Sequence, residues 1–253
     1  MRSSTTLART RAGKVARVTA LGHYIPGFVF HAARCGYDCI WLDLEHRDLS
    51  ILHVQSLIAS AHRCNIDVMV RPPTADKVRL YRYLEEGAAG LLIPQVSDAQ
   101  QAAALVAAAK FPPLGERGID NAGLDADYAI HPVEAYVDWA NRETFLAVQI
   151  ETVEGVRNVG EIAATPGVDM LFVGPGDLGF RLNQSQESSL EDAVAQVAAA
   201  CRKHNKPWGC PALEPDLLAQ RYDQGARFLV AASDHAAYTT ELQHKSTFFA
   251  KVQ

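Results

Sequence analysis

Eight short apolar runs, separated by segments of helical pattern, constrain this chain more than any other feature. They are Val15–Leu21, Cys39–Asp43, Asp67–Arg71, Gly90–Pro94, Phe145–Glu151, Asp169–Val173, Pro207–Cys210 and Arg227–Ala232. Several are almost continuously apolar, which is the pattern of a parallel strand buried on both faces. Between them, helical spacing predicts helices over Ile25–Cys35, Ser50–Cys64, Thr74–Glu86, Ser97–Lys110, Glu154–Ala164, Ser189–His204 and Glu214–Gln224, and a helical tail from Asp234. Strand and helix alternating eight times predict a (β/α)8 TIM barrel, an α/β fold. A doubly wound sheet would need a glycine-rich phosphate loop after its first strand, and Gly22-His23-Tyr24-Ile25-Pro26-Gly27 is not one.

The 253 residues suit a single barrel domain, since such barrels run to about 250 residues. Residues 1–14 read as a short helix or a frayed end rather than a transit peptide. The spacing predicts one long irregular loop, Phe111–Arg142, between the fourth helix and the fifth strand. A net charge of −5 argues against a nucleic-acid partner, and no apolar run reaches the roughly 18 residues of a membrane span. Five cysteines without a CxxC pair fit reduced thiols and a cytoplasmic location.

Chemistry in a barrel sits at the C-terminal ends of the strands. The second strand delivers Asp43, Glu45 and His46; the third, Arg71; the fifth, Gln149 and Glu151; the sixth, Gly174-Pro175-Gly176-Asp177. Carboxylates from neighbouring strands, Glu151 and Asp177, suit a hard divalent cation such as Mg²⁺ or Mn²⁺ that leaves room for a bidentate 2-oxo acid. Arg71 can hold a developing enolate oxygen. His46 can move a proton near neutral pH, and Asp43 can orient its imidazole. No HExxH pattern or His/Cys cluster suggests zinc, and no strand ends in the lysine that Schiff-base chemistry needs. His23, Tyr24 and His235 follow strand ends and can face either the rim or solvent.

Six segments carry a family resemblance. They are Trp41-Leu42-Asp43-Leu44-Glu45-His46, Val70-Arg71-Pro72-Pro73, Leu92-Ile93-Pro94-Gln95, the loop from Phe111 to Gly118, Gln149-Ile150-Glu151-Thr152 and the stretch from Phe172 to Leu178. In this order they resemble the HpcH/HpaI family of class II, metal-dependent pyruvate aldolases. The resemblance implies a (β/α)8 barrel that cleaves a 4-hydroxy-2-oxo acid to pyruvate and an aldehyde. It implies Glu151 and Asp177 as ligands of Mg²⁺ or Mn²⁺, with Co²⁺ as a substitute. It implies His46 as base with Asp43 as its paired acid, and Arg71 on the pyruvyl oxygen. Gln149, Pro175 and Gly176 are implied at the substrate, with Arg117 on a loop, Pro112–Gly118, that helps complete the site. Glu45 is left a structural role. A homohexamer built as a trimer of dimers is implied, its last helix packing on a neighbour.

The sequence departs from the family at Gly22-His23-Tyr24, Arg47-Asp48-Leu49, Ile119-Asp120 and Gly179-Phe180-Arg181, where an aldehyde partner would be selected. The same enolate parts would serve an oxaloacetate decarboxylase or a lyase like the citrate lyase β group. A barrel kept as an inactive oligomeric partner is the reading from a different class.

Overall fold

The computed structural model describes residues 1–252. Eight parallel strands close a barrel in sequence order: β1 (Ala16–Leu21), β2 (Cys39–Asp43), β3 (Asp67–Arg71), β4 (Gly90–Ile93), β5 (Phe145–Ile150), β6 (Met170–Val173), β7 (Trp208–Pro211) and β8 (Phe228–Ser233). All eight predicted runs become strands. The chain is a (β/α)8 TIM barrel.

Alternation along each strand separates two cores. Ala16, Val18, Trp41, Met69, Leu92, Phe145, Ala147, Met170, Phe172, Phe228 and Val230 fill the barrel interior. The intervening residues, such as Leu21, Ile40, Leu42, Val68, Val70, Leu146, Val148 and Leu171, pack outward against the helices. Side chains therefore fill the barrel as a second core, and the strand ends alone are left for chemistry.

The chain opens with α1 (Thr5–Arg11), whose Ser4 cap accepts from the Leu7 N–H. Asp67, buried at the start of β3, accepts from Arg2 Nη2 and Ser4 Oγ at 2.6 Å each and from the Thr6 N–H at 2.8 Å. The first residues thus bind the N-terminal end of the barrel. Outside it run α2 (Pro26–Arg34), α3 (Ile51–Cys64), α4 (Lys77–Glu85), α5 (Ala99–Ala109), α6 (Val133–Glu143), α7 (Val153–Arg157), α8 (Val159–Ala164), α9 (Pro175–Ser185), α10 (Leu190–Lys203), α11 (Pro215–Asp223) and α12 (Asp234–Ser246). Among the described residues no helix is long and apolar enough to cross a membrane.

Three elements differ from expectation. The segment predicted as one irregular loop holds a 3-10 turn, Leu124–Ala126, and the helix α6. Tyr136 and Ala140, one turn apart, bury the inner face of α6. The helix predicted over Glu154–Ala164 is two helices, divided at Asn158, whose side chain donates to the Ser97 carbonyl at 2.8 Å. The glycine- and proline-rich stretch after β6 enters α9 at once, with Pro175 in its first turn.

Candidate active site at the C-terminal mouth

Asp43 and Arg71 are register partners at the ends of β2 and β3. Arg71 Nε lies 2.9 Å from Asp43 Oδ1 and Nη2 lies 2.8 Å from Oδ2, a bidentate pair. Its third nitrogen, Nη1, is 3.1 Å from Glu45 Oε2. The guanidinium carbon lies 4.7 Å from the centre of the Trp41 ring. Arg71 is therefore fixed on its edges by two carboxylates and on its face by an indole. Burial pushes the Asp43 carboxyl up, but the hydrogen bonds and charge of Arg71, with N–H donors from His46 and Glu45, outweigh it and hold the group below the usual carboxylate range.

This geometry corrects two sequence expectations. Asp43 does not meet the His46 imidazole; it accepts only the His46 backbone N–H, at 3.4 Å. The acid beside the imidazole is Glu45, with Oε2 3.7 Å from His46 Nε2. Glu45, expected to be structural, thus belongs to the rim set. The signal was present in the sequence: residues two apart on a strand share a face, so Asp43 and Glu45 approach the same cation. His46 itself is exposed at the rim.

Across the mouth, Glu151 follows β5 and is buried. Its Oε1 accepts from the Gln95 N–H at 2.9 Å, and its Oε2 from Gln149 Nε2. Burial pushes this carboxyl up to about 7; the Gln95 N–H opposes that, the negative charges of Asp177 and Glu45 add to it, and Arg71 partly offsets it. Asp177 is exposed in the first turn of α9. A methyl group on Gly174 would run into Glu151 Oε2 and Gln149 Nε2, so any larger residue there must displace both side-chain ends. Gln95, in a left-handed conformation, and Gly174 are two contributors that the sequence did not single out for Glu151.

The donor set fits a hard divalent cation. Glu151 is held among negative groups with no cation of its own, because Arg71 is taken by Asp43 and Glu45. Gln149 Oε1 is buried without a hydrogen-bond partner, an orphaned oxygen beside that carboxylate. Among the described residues no cluster of three or more His, Cys, Asp or Glu side chains has metal-holding geometry. Beside the rim a groove of about 1030 Å³ runs between α3 and α4, with Glu45 and His46 in its wall.

Arg117 is not part of this mouth. Its guanidinium is buried 3.0 Å from Asp125 Oδ2 and 2.9 Å from the Tyr136 hydroxyl, and it stacks 4.4 Å from the Phe111 ring centre. The loop Pro112–Gly118 follows α5 and precedes β5, which puts it at the opposite end of the barrel. Asn141, near the end of α6, ties it there by accepting the Phe111 N–H at 2.9 Å. Arg117 in this chain packs at that end and makes no contact with the mouth of its own barrel, where the sequence placed it.

Residues 25–241 match the family model described as HpcH/HpaI aldolase/citrate lyase. The chain belongs to this family. It is accordingly a carbon–carbon lyase. It is 35% identical over 212 residues to a hydroxypyruvate/pyruvate aldolase of Paraburkholderia phytofirmans, covering 80% of each chain. It is 31% identical over 210 residues to a 2-dehydro-3,6-dideoxy-6-sulfogluconate aldolase of Pseudomonas putida, covering 79% of each. An HpcH/HpaI aldolase from Desulfitobacterium hafniense superposes with a TM-score of 0.90 at 29% identity, over 96% of this chain and 95% of that one.

Proposed function

We propose that this lyase is a divalent-metal-dependent pyruvate aldolase, cleaving a 4-hydroxy-2-oxo acid to pyruvate and an aldehyde and running the addition in reverse. The observation that carries this reading is the buried Glu151 carboxylate, set beside Asp177 and the orphaned Gln149 oxygen with no free cation. A Mg²⁺ or Mn²⁺ ion held by Glu151, Asp177 and the Gln149 amide oxygen, or Co²⁺ in their place, would supply Lewis acidity toward the 2-oxo group.

The protein's own groups do the rest. Arg71, immobilised by Asp43, Glu45 and Trp41, presents its guanidinium to the oxygen on which enolate charge develops. The first-turn N–H groups of α9, at Gly176 and Asp177, receive the substrate carboxylate, and Pro175 begins that turn without needing a donor. His46 exchanges the proton, with Glu45 as the acid that orients it. This reading gives Asp43 the task of positioning Arg71.

Pyruvate release from a 4-hydroxy-2-oxo acid, assayed before and after chelation, tests it. Activity should vanish with the metal and return with Mn²⁺; full activity in metal-free enzyme would overturn the proposal. Release of CO₂ from oxaloacetate without any aldol cleavage would favour the decarboxylase alternative. We also propose a homo-oligomer, because Leu242, Phe248, Phe249 and Val252 on and after α12 are exposed apolar side chains that a second copy would cover. A monomer at micromolar concentration in light scattering would overturn that.

A further inference from the structure

Two of the segments in which this chain departs from its family, Gly22-His23-Tyr24 and Arg47-Asp48-Leu49, meet at the mouth. Side chains alternate along β1: Ala20 packs on the interior core and Leu21 on the outer one. Gly22 follows directly, so its side-chain direction is inward, over the barrel. The last register pair is Leu21 with Leu42, which brings Gly22 level with Asp43. A Cβ atom on Gly22 would lie 3.1 Å from both Cγ and Nε of Arg47 and 3.4 Å from its Cδ. The stem of Arg47 therefore runs back from the end of β2 across the inward side of β1, through the space that the glycine leaves.

No acid answers this cation. Arg47 Nη1 donates to the His46 carbonyl at 2.8 Å, and among the described residues the guanidinium pairs with no carboxylate. The acids nearby are committed elsewhere. Asp43 and Glu45 hold Arg71. Asp234, at the start of α12, accepts from the Gly22 N–H at 3.2 Å and the His23 N–H at 3.1 Å, and lies 2.7 Å from His23 Nδ1. Asp48 is exposed and forms no ion pair with Arg47. An unpaired guanidinium inside an otherwise acidic mouth is a binding group for an oxyanion, and its planar fork suits carboxylate or phosphate. The pyruvate half is met by Arg71, Glu151 and the start of α9, on the β3, β5 and β6 side. Arg47 stands on the β1 and β2 side, one residue beyond His46, so the oxyanion that reaches it belongs to the other half.

We propose that Arg47 is a specificity-determining residue that binds a negatively charged group, a carboxylate or a phosphate, on the aldehyde half of the substrate. The inference rests on the aldolase reading and names the substrate class that reading leaves open: a 4-hydroxy-2-oxo acid with a second acidic group beyond C4. Gly22 is the companion feature, since it gives Arg47 its place.

Addition of pyruvate to aldehydes tests it. Succinic semialdehyde probes a carboxylate and glyceraldehyde 3-phosphate a phosphate, with pentanal and glyceraldehyde as their uncharged counterparts. The wild type should prefer at least one charged aldehyde, and the larger preference identifies the group. Arg47→Ala should lower kcat/KM for that aldehyde by roughly 10–100-fold. It should leave the uncharged counterpart and the exchange of pyruvate methyl protons unchanged, and Arg47→Lys should recover part of the loss. Equal loss for charged and uncharged aldehydes would mean that Arg47 acts through His46 or through packing, and no loss would mean that it meets no substrate; either overturns the proposal. The wild type gives a reading that needs no variant. KM for the charged aldehyde should rise with added KCl while KM for the uncharged one stays constant, because salt screens an exposed cation. A wild type that exchanges protons and adds pentanal, yet prefers neither charged aldehyde, sinks this inference and spares the aldolase reading. A wild type with neither activity sinks both.

Discussion

Asp43 holds Arg71, not His46. The two residues end adjacent strands in register, and both carboxylate oxygens lie within 2.9 Å of guanidinium nitrogens. The acid expected to tune His46 instead fixes Arg71, the cation proposed to face the enolate oxygen. His46 is left exposed at the rim, with Glu45 Oε2 3.7 Å from its Nε2.

Substitutions should separate these roles. Asp43→Asn keeps the size and one acceptor but ends the bidentate pair. Arg71 would remain tethered by Glu45 with its plane free to tilt. We expect kcat to fall on the order of 100-fold, the scale of a misplaced catalytic group, with a smaller change in KM. Arg71→Ala should abolish both aldol cleavage and pyruvate proton exchange. Steady-state assays with proton-exchange NMR check both, and retained exchange in R71A would remove Arg71 from the enolate step.

Gly174→Ala tests the packing of the carboxylate. Gly174 has φ −94°, which any residue adopts, so backbone strain is not the issue. The new methyl would run into Glu151 Oε2 and Gln149 Nε2 and force both side-chain ends to move. Mn²⁺ affinity measured by calorimetry should fall sharply while circular dichroism stays that of the wild type. Unchanged affinity would mean that these two side chains do not hold the ion.

Much of this was legible in the sequence, for physical reasons. Strands buried on both faces announce themselves as apolar runs, and the rim residues follow because strand ends are where barrels expose side chains. Which acid meets which cation was not legible. The pairing of Asp43 with Arg71 is set by the register between β2 and β3, and register is a property of two strands together. Arg117 shows a different lapse. Each helix carries the chain back to the N-terminal end, so a segment after α5 and before β5 belongs there, and chain order alone could have excluded it from the mouth of its own barrel. The helix α6 was hidden by the prolines and glycines before it, although Tyr136 and Ala140 have helical spacing.

Stability should show a pH dependence at the opposite end of the barrel. Asp38 accepts from the Arg17 backbone N–H at 2.9 Å, from Arg17 Nε at 3.0 Å and from Arg9 Nε at 3.2 Å. Burial raises the Asp38 carboxyl, but the hydrogen bonds and charge of Arg17, with the charge of Arg9, outweigh it and hold the group below the usual range. A lowered carboxyl contributes stability that is present above its unfolded-state pKa and is lost as pH falls through the folded value. Because Arg17 is half exposed, solvent screens the pair. Asp38→Asn should therefore lower Tm at pH 7 by roughly 1–3 °C, and the deficit should shrink in acid. A deficit that persists unchanged at low pH would locate the effect in packing.

Metal removal gives the last prediction. Glu151 is buried among negative neighbours, and an uncompensated buried charge is costly until a cation answers it. Glu151→Gln removes the charge while keeping an amide oxygen for the Gln95 N–H. The variant should bind no Mn²⁺ at concentrations that saturate the wild type and should release no pyruvate. Its metal-free form should nevertheless unfold at a higher temperature than metal-free wild type, because no charge is buried there and the repulsion from Asp177 and Glu45 is gone. Asp177→Asn should also lose metal and should raise the metal-free Tm by less than Glu151→Gln does, since it relieves only its own share of the repulsion and Asp177 is exposed to solvent that screens it. Scanning calorimetry of the three proteins with and without Mn²⁺ reads both effects. A metal-free E151Q less stable than wild type would show that Glu151 is compensated inside the protein, and would remove the main argument for a cation at this site.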